Sequence, residues 1–241
     1  MAEMPLPPGR TPPKERTLAQ PLSQRAIVAA ALRILDAEGL DAVTMRRVAQ
    51  DLRTSPASLY AYVSGKDEIL DLVLEEAAGE VALPGQPDPG RWKEQVKELC
   101  RAVRKVMVAH RDISMVALLR IPMGANSLTV ADRLLGILLA GGLPKQAAGW
   151  AMERLFQYIN ADSLERALYA NQTPAGADPD EYRAEYLSQV QAYYEALPAD
   201  RFPNTAALLP ELMTGAGDER FEFGLEVIVA GLAAYAKGNG S

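Results

Sequence analysis

The stretch TSPASLYAYV, residues 54–63, is rich in hydroxyl-bearing side chains and contains no charged residue. At helical spacing, Ser58, Tyr60 and Tyr62 lie off the face that an apolar core would cover. Serine and tyrosine hydroxyls can bond to phosphates and base edges, and tyrosine rings offer apolar surface to thymine methyls. The stretch therefore indicates a short helix whose outward face meets DNA.

Local signals predict where this helix begins and how it docks. Ser55 can cap its first turn, and Pro56 suits the first helical position, where a missing N–H costs nothing. Leu59 and Val63 are four residues apart and would face the core.

A second short helix is predicted just before it, in TMRRVAQDL, residues 44–52. Thr44 can cap this helix, apolar residues follow one face, and Arg46 and Arg47 lie off that face. Four residues, RTSP, separate the two helices. Two short helices joined by a tight turn are typical of a helix-turn-helix, whose second helix can lie in the DNA major groove.

Longer helices are predicted on both sides of this pair. In residues 23–40, Ser23 can cap the start and Gly39 can end the helix in a left-handed conformation. In SGKD, Ser64 and Asp67 have the spacing of a capping box, so the fourth helix is predicted to begin there and run to about residue 80. The buried face of the first helix is predicted to hold Ile27, Ala30, Ala31, Ile34 and Leu35. The predicted DNA contacts are Thr44, Arg46, Arg47, Ser55, Ser58, Tyr60, Tyr62 and Lys66.

Composition limits the classes of function. The chain of 241 residues has one cysteine and one histidine, which excludes a disulfide framework and any site that needs two imidazoles. Its net charge of −6 argues against a nucleic-acid binder, but residues 1–70 hold nine Lys or Arg and eight Asp or Glu, so the acidity lies downstream. No apolar run is long enough to span a membrane and no apolar signal core opens the chain, so we expect a cytoplasmic protein.

The string AALRILDAEGLDAVTMRRVAQDLRTSPASLYAYVSGKDEILDLV resembles the TetR family of bacterial transcriptional regulators. It carries the family's TMRRVA second helix, its LY-x-x-V recognition helix and its KDEIL start of the fourth helix. The last helical stretch, RFEFGLEVIVAGLAAYA, is similar to the end of the tetracycline-repressor-like C-terminal domain, as is VMVAHRDISMVALLRIP more weakly. The resemblance implies an all-α homodimer, with an N-terminal DNA-binding domain and a C-terminal domain that binds a small molecule.

Two positions depart from what the family leads us to expect. Arg53 stands where the family usually has glycine, so either the turn differs or Arg53 contributes a phosphate contact; we favour a different turn. Ala117 stands where tetracycline repressors have their metal-binding histidine, so no magnesium–tetracycline effector, metal or other cofactor is expected. His110 is interpreted as a structural residue near a helix C-terminus.

The body is predicted to be helical at about 90–110, 112–120, 127–140, 144–170, 179–197 and 218–237, after a Pro/Gly-rich loop at 83–91. The last helix is either an internal core helix or, as the resemblance favours, a dimer interface formed with the helix at 144–170. Its predicted stripe consists of Phe221, Gly224, Leu225, Ile228, Leu232 and Tyr235.

A ligand site is predicted among the middle helices, where methionine and aromatic residues suit an adaptable apolar pocket. Plain core packing is the favoured explanation for any single one of the apolar residues, and the polar members can equally be solvated or lie in a dimer seam. The predicted ligand contacts are Met115, Leu119, Trp150, Arg154, Gln157 and Asn160.

We therefore predict a disordered Pro-rich arm at 1–21, a three-helix helix-turn-helix domain at 22–68, and a ligand-binding and dimerisation domain at 69–241. The predicted function is a DNA-binding regulator, a repressor that a small-molecule effector releases from a palindromic operator. An enzyme is disfavoured, because the sequence has no glycine-rich phosphate loop and no nucleophile elbow. The alternative is a helical ligand-binding protein that no longer reads DNA, an interpretation that the net charge keeps open.

Overall fold

Helices account for the regular structure of the computed structural model, which describes residues 22–121, 123–172, 177–215 and 217–238, and no strand occurs in those ranges. The predicted arm at residues 1–21 lies outside the described residues. The helices are α1 Gln24–Glu38, α2 Met45–Asp51, α3 Pro56–Leu59, α4 Lys66–Ala78, α5 Trp92–Ala109, α6 Ile113–Leu118, α7 Ala125–Ala140, α8 Lys145–Gln172, α9 Pro179–Glu195, α10 Pro203–Ala207, α11 Leu209–Met213 and α12 Gly217–Gly238. A single turn of 3₁₀ helix, Leu40–Ala42, follows α1. The predicted all-α fold with an N-terminal helix-turn-helix is confirmed.

The first three helices begin where local capping signals placed them. Ser23 accepts a hydrogen bond from the Ala26 N–H at 3.2 Å. Thr44 accepts one from the Arg47 N–H at 3.1 Å. Because each cap satisfies a backbone donor that the helix itself leaves unpaired, these three starts can be predicted from a few neighbouring residues. The third cap is Ser55, with Pro56 in the first helical position.

The turn between α2 and α3 keeps its left-handed geometry without glycine. Arg53 has φ 54°, in the left-handed region. Its N–H donates to Gln50 O at 3.1 Å, and the Thr54 N–H donates to Ala49 O at 2.9 Å. These two bonds are those of a Schellman motif. The expectation that the turn would differ is therefore wrong, because the hydrogen bonds hold Arg53 in the conformation that glycine would adopt freely.

The start of α4 differs from the predicted capping box. Gly65 is the N-cap residue and supplies no side-chain bond. The Ser64 N–H donates instead to Glu68 Oε2, at 2.6 Å. The predicted box of Ser64 and Asp67 therefore does not form, and Glu68 instead accepts the N–H of the residue before the α4 N-cap. This helix runs without a break through the predicted domain boundary at 68/69, so the two domains share it.

The body is built around α5, which lies between α7 and α8. Its buried residues include Val96, Leu99 and Val103. The stack of Tyr158 on Phe221, with ring centroids 5.3 Å apart, joins α8 to α12. The Tyr158 hydroxyl also donates to Phe221 O at 2.9 Å.

Two predictions for the body need correction. The predicted stripe of α12 is split, because Phe221 and Leu225 are in the core whereas Tyr235 is exposed. A different apolar set, which includes Phe223 and Val227, faces outward. The short helices α10 and α11 were not predicted. Each has only five residues, too few for a periodic pattern to show.

Candidate nucleic-acid interface

The recognition helix α3 is docked by its apolar residues and leaves its tyrosines outside. Leu59 is fully buried and Val63 nearly so, while Tyr60 is 59% and Tyr62 41% exposed. Ser55 Oγ lies 2.9 Å from Ser58 Oγ. The arrangement places the serine pair at the start of α3 and the two tyrosines in the turn that directly follows it.

The two arginines predicted to contact DNA from α2 differ in whether they already form ion pairs within the protein. Arg47 forms a forked ion pair with Glu38, with Nη2 2.6 Å from Oε1, and lies 3.8 Å from Asp51. The Glu38 hydrogen bond and the nearby carboxylates raise the pKa of Arg47 above its ordinary value. Arg46 is exposed and, within the described ranges, has no ion-pair partner. Arg47 can therefore contact a phosphate only by sharing or leaving its carboxylate partner. Arg46 can contact a phosphate without breaking an ion pair.

Lys66, at the first position of α4, is half-buried and points back toward the end of α1. Its Nζ lies 3.4 Å from Leu40 O. Thr44, predicted as a DNA contact, uses its hydroxyl as an acceptor for the α2 cap and remains exposed. Both residues thus have a structural role in addition to the predicted contact.

Two features of this surface were missed at the level of sequence. Gln24 Nε2 lies 3.4 Å from Tyr62 O, so the start of α1 holds the end of the recognition segment. Arg33 Nη2 lies 2.8 Å from Asp51 Oδ2 and links α1 to α2. Their partners are 38 and 18 residues away, so no short motif signals them.

The first joint between this domain and the body runs along α4. Arg120, just after α6, donates to Asp71 and Asp67 at 2.6 Å each. Glu75 accepts hydrogen bonds from the backbone N–H groups of Asn126 and Ser127 at the start of α7. Helix α4 is therefore tied to Arg120 after α6 by ion pairs and to the start of α7 by the Glu75 carboxylate.

The second joint holds the C-terminal end of α1 against the end of α5. His110 lies between two carboxylates, with Nδ1 3.1 Å from Asp36 and Nε2 3.2 Å from Glu80. Asp112 Oδ2 accepts a hydrogen bond from the Leu40 N–H at 3.0 Å. Burial lowers the pKa of His110, but its hydrogen bonds to the two carboxylates and their charges outweigh this effect, so the pKa is raised.

His110 and Cys100, the single histidine and cysteine of the chain, occupy structural positions. His110 is the C-cap residue of α5. Burial raises the pKa of the Cys100 thiol to about 12, so it stays protonated and poorly nucleophilic at neutral pH. Ala117 is half-buried against the core. Among the residues described, no three His, Cys, Asp or Glu side chains group as a metal site, and no helix has the length and apolar character to cross a membrane.

The predicted ligand contacts are not gathered around a common cavity. Leu119 is 73% and Trp150 64% exposed. Arg154 is also exposed and donates to Gln157 Oε1 at 2.7 Å. Met115 and Asn160 are half-buried. None of the six lines either of two cavities that adjoin α5 and α8, so the ligand set stays a prediction.

Comparison with known proteins places the chain. Residues 27–73 match the family of bacterial regulatory proteins of the tetR type, and residues 83–236 match the tetracyclin repressor-like C-terminal domain. An HTH-type transcriptional regulator of Saccharopolyspora erythraea is 30% identical over 93% of this chain and 90% of its own length. The HTH-type transcriptional repressor DrrR1 of Streptomyces coeruleorubidus is 30% identical over 86% of this chain and 75% of its own length.

Solved structures agree. ActR of Streptomyces coelicolor in complex with actinorhodin superimposes with a TM-score of 0.80 at 44% identity, covering 90% of this chain and 99% of that one. The same ActR fold without ligand gives a TM-score of 0.79. The helix-turn-helix, the shared fourth helix and the helical body are thus those of known regulators, and the chain belongs to the TetR family of bacterial transcriptional regulators.

Proposed function

We propose that the protein is a repressor that binds a palindromic operator as a homodimer and leaves it when a small-molecule effector binds the body. The observation that carries the proposal is the outward surface of α3 and of the turn that follows it, where Ser58, Tyr60 and Tyr62 lie around the buried anchor Leu59. Base-proximal contacts by these three would read sequence, while Arg46 and Lys66 would contact phosphates.

A dimer explains the exposed apolar residues of the last helix. Phe223 is 73% and Val227 54% exposed, four residues apart on one face of α12. Large apolar side chains in a row on one face mark an interaction surface. Two copies related by a two-fold axis would place two recognition helices about one DNA turn apart, which is the spacing of a palindromic site.

Effector release would act through α4. Its ion pairs with Arg120 and its capping of α7 by Glu75 tie the helix to the part of the body that a ligand would rearrange. A ligand that favours a second arrangement of α6 and α7 would shift α4 and change the half-site spacing. A coupling of about 1–3 kcal/mol between the two sites is typical of such regulators.

The relatives support a small organic effector. ActR has been solved in complexes with actinorhodin and with (S)-DNPA. For this chain we propose an organic molecule as effector and retain Met115, Leu119, Trp150, Arg154, Gln157 and Asn160 as the predicted contacts.

Selection of bound sequences from random duplex DNA tests the proposal. We expect the purified protein to enrich a palindrome, and binding to fall steeply with added salt as counterions are released from the phosphates. Failure to enrich any site at low salt, with the protein folded and dimeric, would favour the alternative of a ligand-binding protein that does not read DNA.

Tyr60→Ala tests the assigned surface. We expect it to weaken operator binding about tenfold, because a base contact is worth about 1–3 kcal/mol. Leu208→Ala is a matched control, since Leu208 is also an exposed apolar residue but precedes α11, far along the chain. Unchanged affinity and sequence preference in Tyr60→Ala would overturn the assignment.

A further inference from the structure

Two adjoining cavities form an open groove along α5, between the second half of α8 and the start of α12. Their volumes are about 250 and about 420 Å³. They share Val108 and Arg166 as walls. None of the six residues predicted to contact the effector lines either cavity, so the groove is separate from that predicted site.

One end of the groove has more cations than carboxylates although the protein is acidic overall, and three of these cations are in ion pairs, among them Arg101 with Glu222 at 2.7 Å. Arg101, Arg104, Lys105 and Arg166 line the first cavity together with two carboxylates, Asp218 and Glu222. Asp218 lies 2.9 Å from both Arg104 and Arg166, and the hydrogen bond from Arg104 is the main reason that its pKa is lowered. In the described part of the chain Lys105 has no ion-pair partner.

Hydrogen-bond donors at the groove lack acceptors. Arg104 donates through Nε to Asp162 at 2.6 Å and through Nη1 to Asp218, but its buried Nη2 has no partner. Ser163, which lines the second cavity and is 2% exposed, has a buried Oγ without a partner. Buried donors are normally satisfied by protein, water or ligand, so each of the two cavities adjoins one unsatisfied donor.

The second cavity combines an apolar strip with polar side chains. The strip consists of Met107, Val108, Ala109 and Ala167, and the polar side chains are Asp36, His110, Arg111, Ser163 and Arg166. Val108, which belongs to both cavities, is 41% exposed. A molecule that joins an acidic group to an apolar body would match the cations of the first cavity and this strip.

We propose that this groove binds an organic anion, with its acidic group held by Arg104 and Lys105 in the first cavity and its apolar body lying against Val108. The wall of the second cavity also includes Asp36 and His110, the pair that joins α1 to α5. Binding here would thus touch the DNA-binding domain and the body at once. This last consequence rests on the proposed DNA binding, whereas occupancy of the groove does not.

Fluorescence titration with a matched pair of probes tests the site. The anion is 8-anilino-1-naphthalenesulfonate, and N-phenyl-1-naphthylamine has the same apolar body without the sulfonate. We expect the free protein to bind the sulfonate more tightly than the amine. Lys105→Glu and, independently, Val108→Asp should each weaken sulfonate binding about fivefold or more, since each adds negative charge to the groove.

Lys145→Glu is the control, because it makes the same change of charge at an exposed position at the start of α8, outside the groove. Its affinity for the sulfonate should stay at the wild-type value. Equal binding of the two probes, or wild-type affinity in both groove variants with helicity unchanged, would overturn the site.

The effect on DNA is measured separately. With the selected palindrome, the sulfonate should weaken operator binding by the wild type and not by Lys105→Glu. Groove binding without an effect on the operator would overturn the regulatory consequence alone. Failure to find any operator would count against the proposed function and leave the result of the probe titration standing.

Discussion

The DNA-binding domain and the body start their helices in different ways. In the DNA-binding domain, α1, α2 and α3 are each capped by a side chain three residues before the donor: Ser23, Thr44 and Ser55. In the body, the described starts of α5, α6 and α7 have no side-chain cap of their own. The donors of α7 go instead to Glu75, about fifty residues earlier in the chain.

This difference shows whether local sequence or tertiary packing sets the helix boundaries in each region. In a domain with local caps, a few neighbouring residues set where each helix begins. The residues on its outward face are then free to vary for binding. In the body, α9 has a local cap in Asp178, which accepts the Glu181 N–H at 3.2 Å, whereas the start of α7 depends on the assembled packing because its donors go to another helix. Such a region can rearrange when a ligand changes that packing, as a regulator requires.

The largest effect is expected where the recognition helix depends on one side chain. Leu59 is the buried residue of the four-residue helix α3, so Leu59→Ala should lower the free energy of unfolding by about 2–5 kcal/mol. Leu119→Ala, at a highly exposed site in the body, should change it by less than about 0.5 kcal/mol. Urea denaturation measures both, and similar losses would mean that local caps alone hold α3 in place.

The long-range cap can be compared directly with a local one. Glu75→Ala removes acceptors from the N–H groups of Asn126 and Ser127 and should cost about 2 kcal/mol. Thr44→Ala removes one local cap and should cost about 1 kcal/mol. If thermal or urea unfolding showed the local cap to be the costlier loss, the contrast between the regions would fail.

Two left-handed residues sharpen the contrast further. Arg53 and Asp112 have φ 54° and 57°. Arg53→Gly should stabilise the protein by about 1 kcal/mol, because glycine adopts this conformation without strain. Asp112→Gly should gain less or lose stability, since Asp112 also accepts the Leu40 N–H across the second joint. Equal gains in the two variants, measured by denaturation, would show that the Asp112 bond contributes nothing.

The smallest effect concerns pH at the second joint. The folded state raises the pKa of His110 above its ordinary value, so the protonated form stabilises the fold. This contribution is fully present below the unfolded pKa, about 6.5, and is lost as the pH rises through the folded value. Melting curves from pH 5.5 to 9 should show His110→Gln less stable than wild type at low pH. The difference in stability should decrease as the pH rises. A constant difference would exclude the charge as its cause.

Most of the fold was predictable because helices leave a periodic and locally capped pattern. The long helices of the body came within a few residues of their predicted bounds, and the caps of Thr44 and Ser55 were correct. The predictions for the capping box of α4 and for the apolar stripe of α12 were wrong. In both cases two local patterns competed, Asp67 against Glu68 and one apolar face against another, and only packing against other helices chose between them.

The amino-acid sequence by itself determined the helix-turn-helix, the outward position of Tyr60 and Tyr62, and the family. These depend on residues within a few positions of one another, where backbone geometry leaves few choices. Only the tertiary structure decided that Glu38 engages Arg47, that Glu75 caps α7, and that His110 bridges Asp36 and Glu80. Those pairs join groups from different helices, and their distances exist only once the core has fixed how the helices pack.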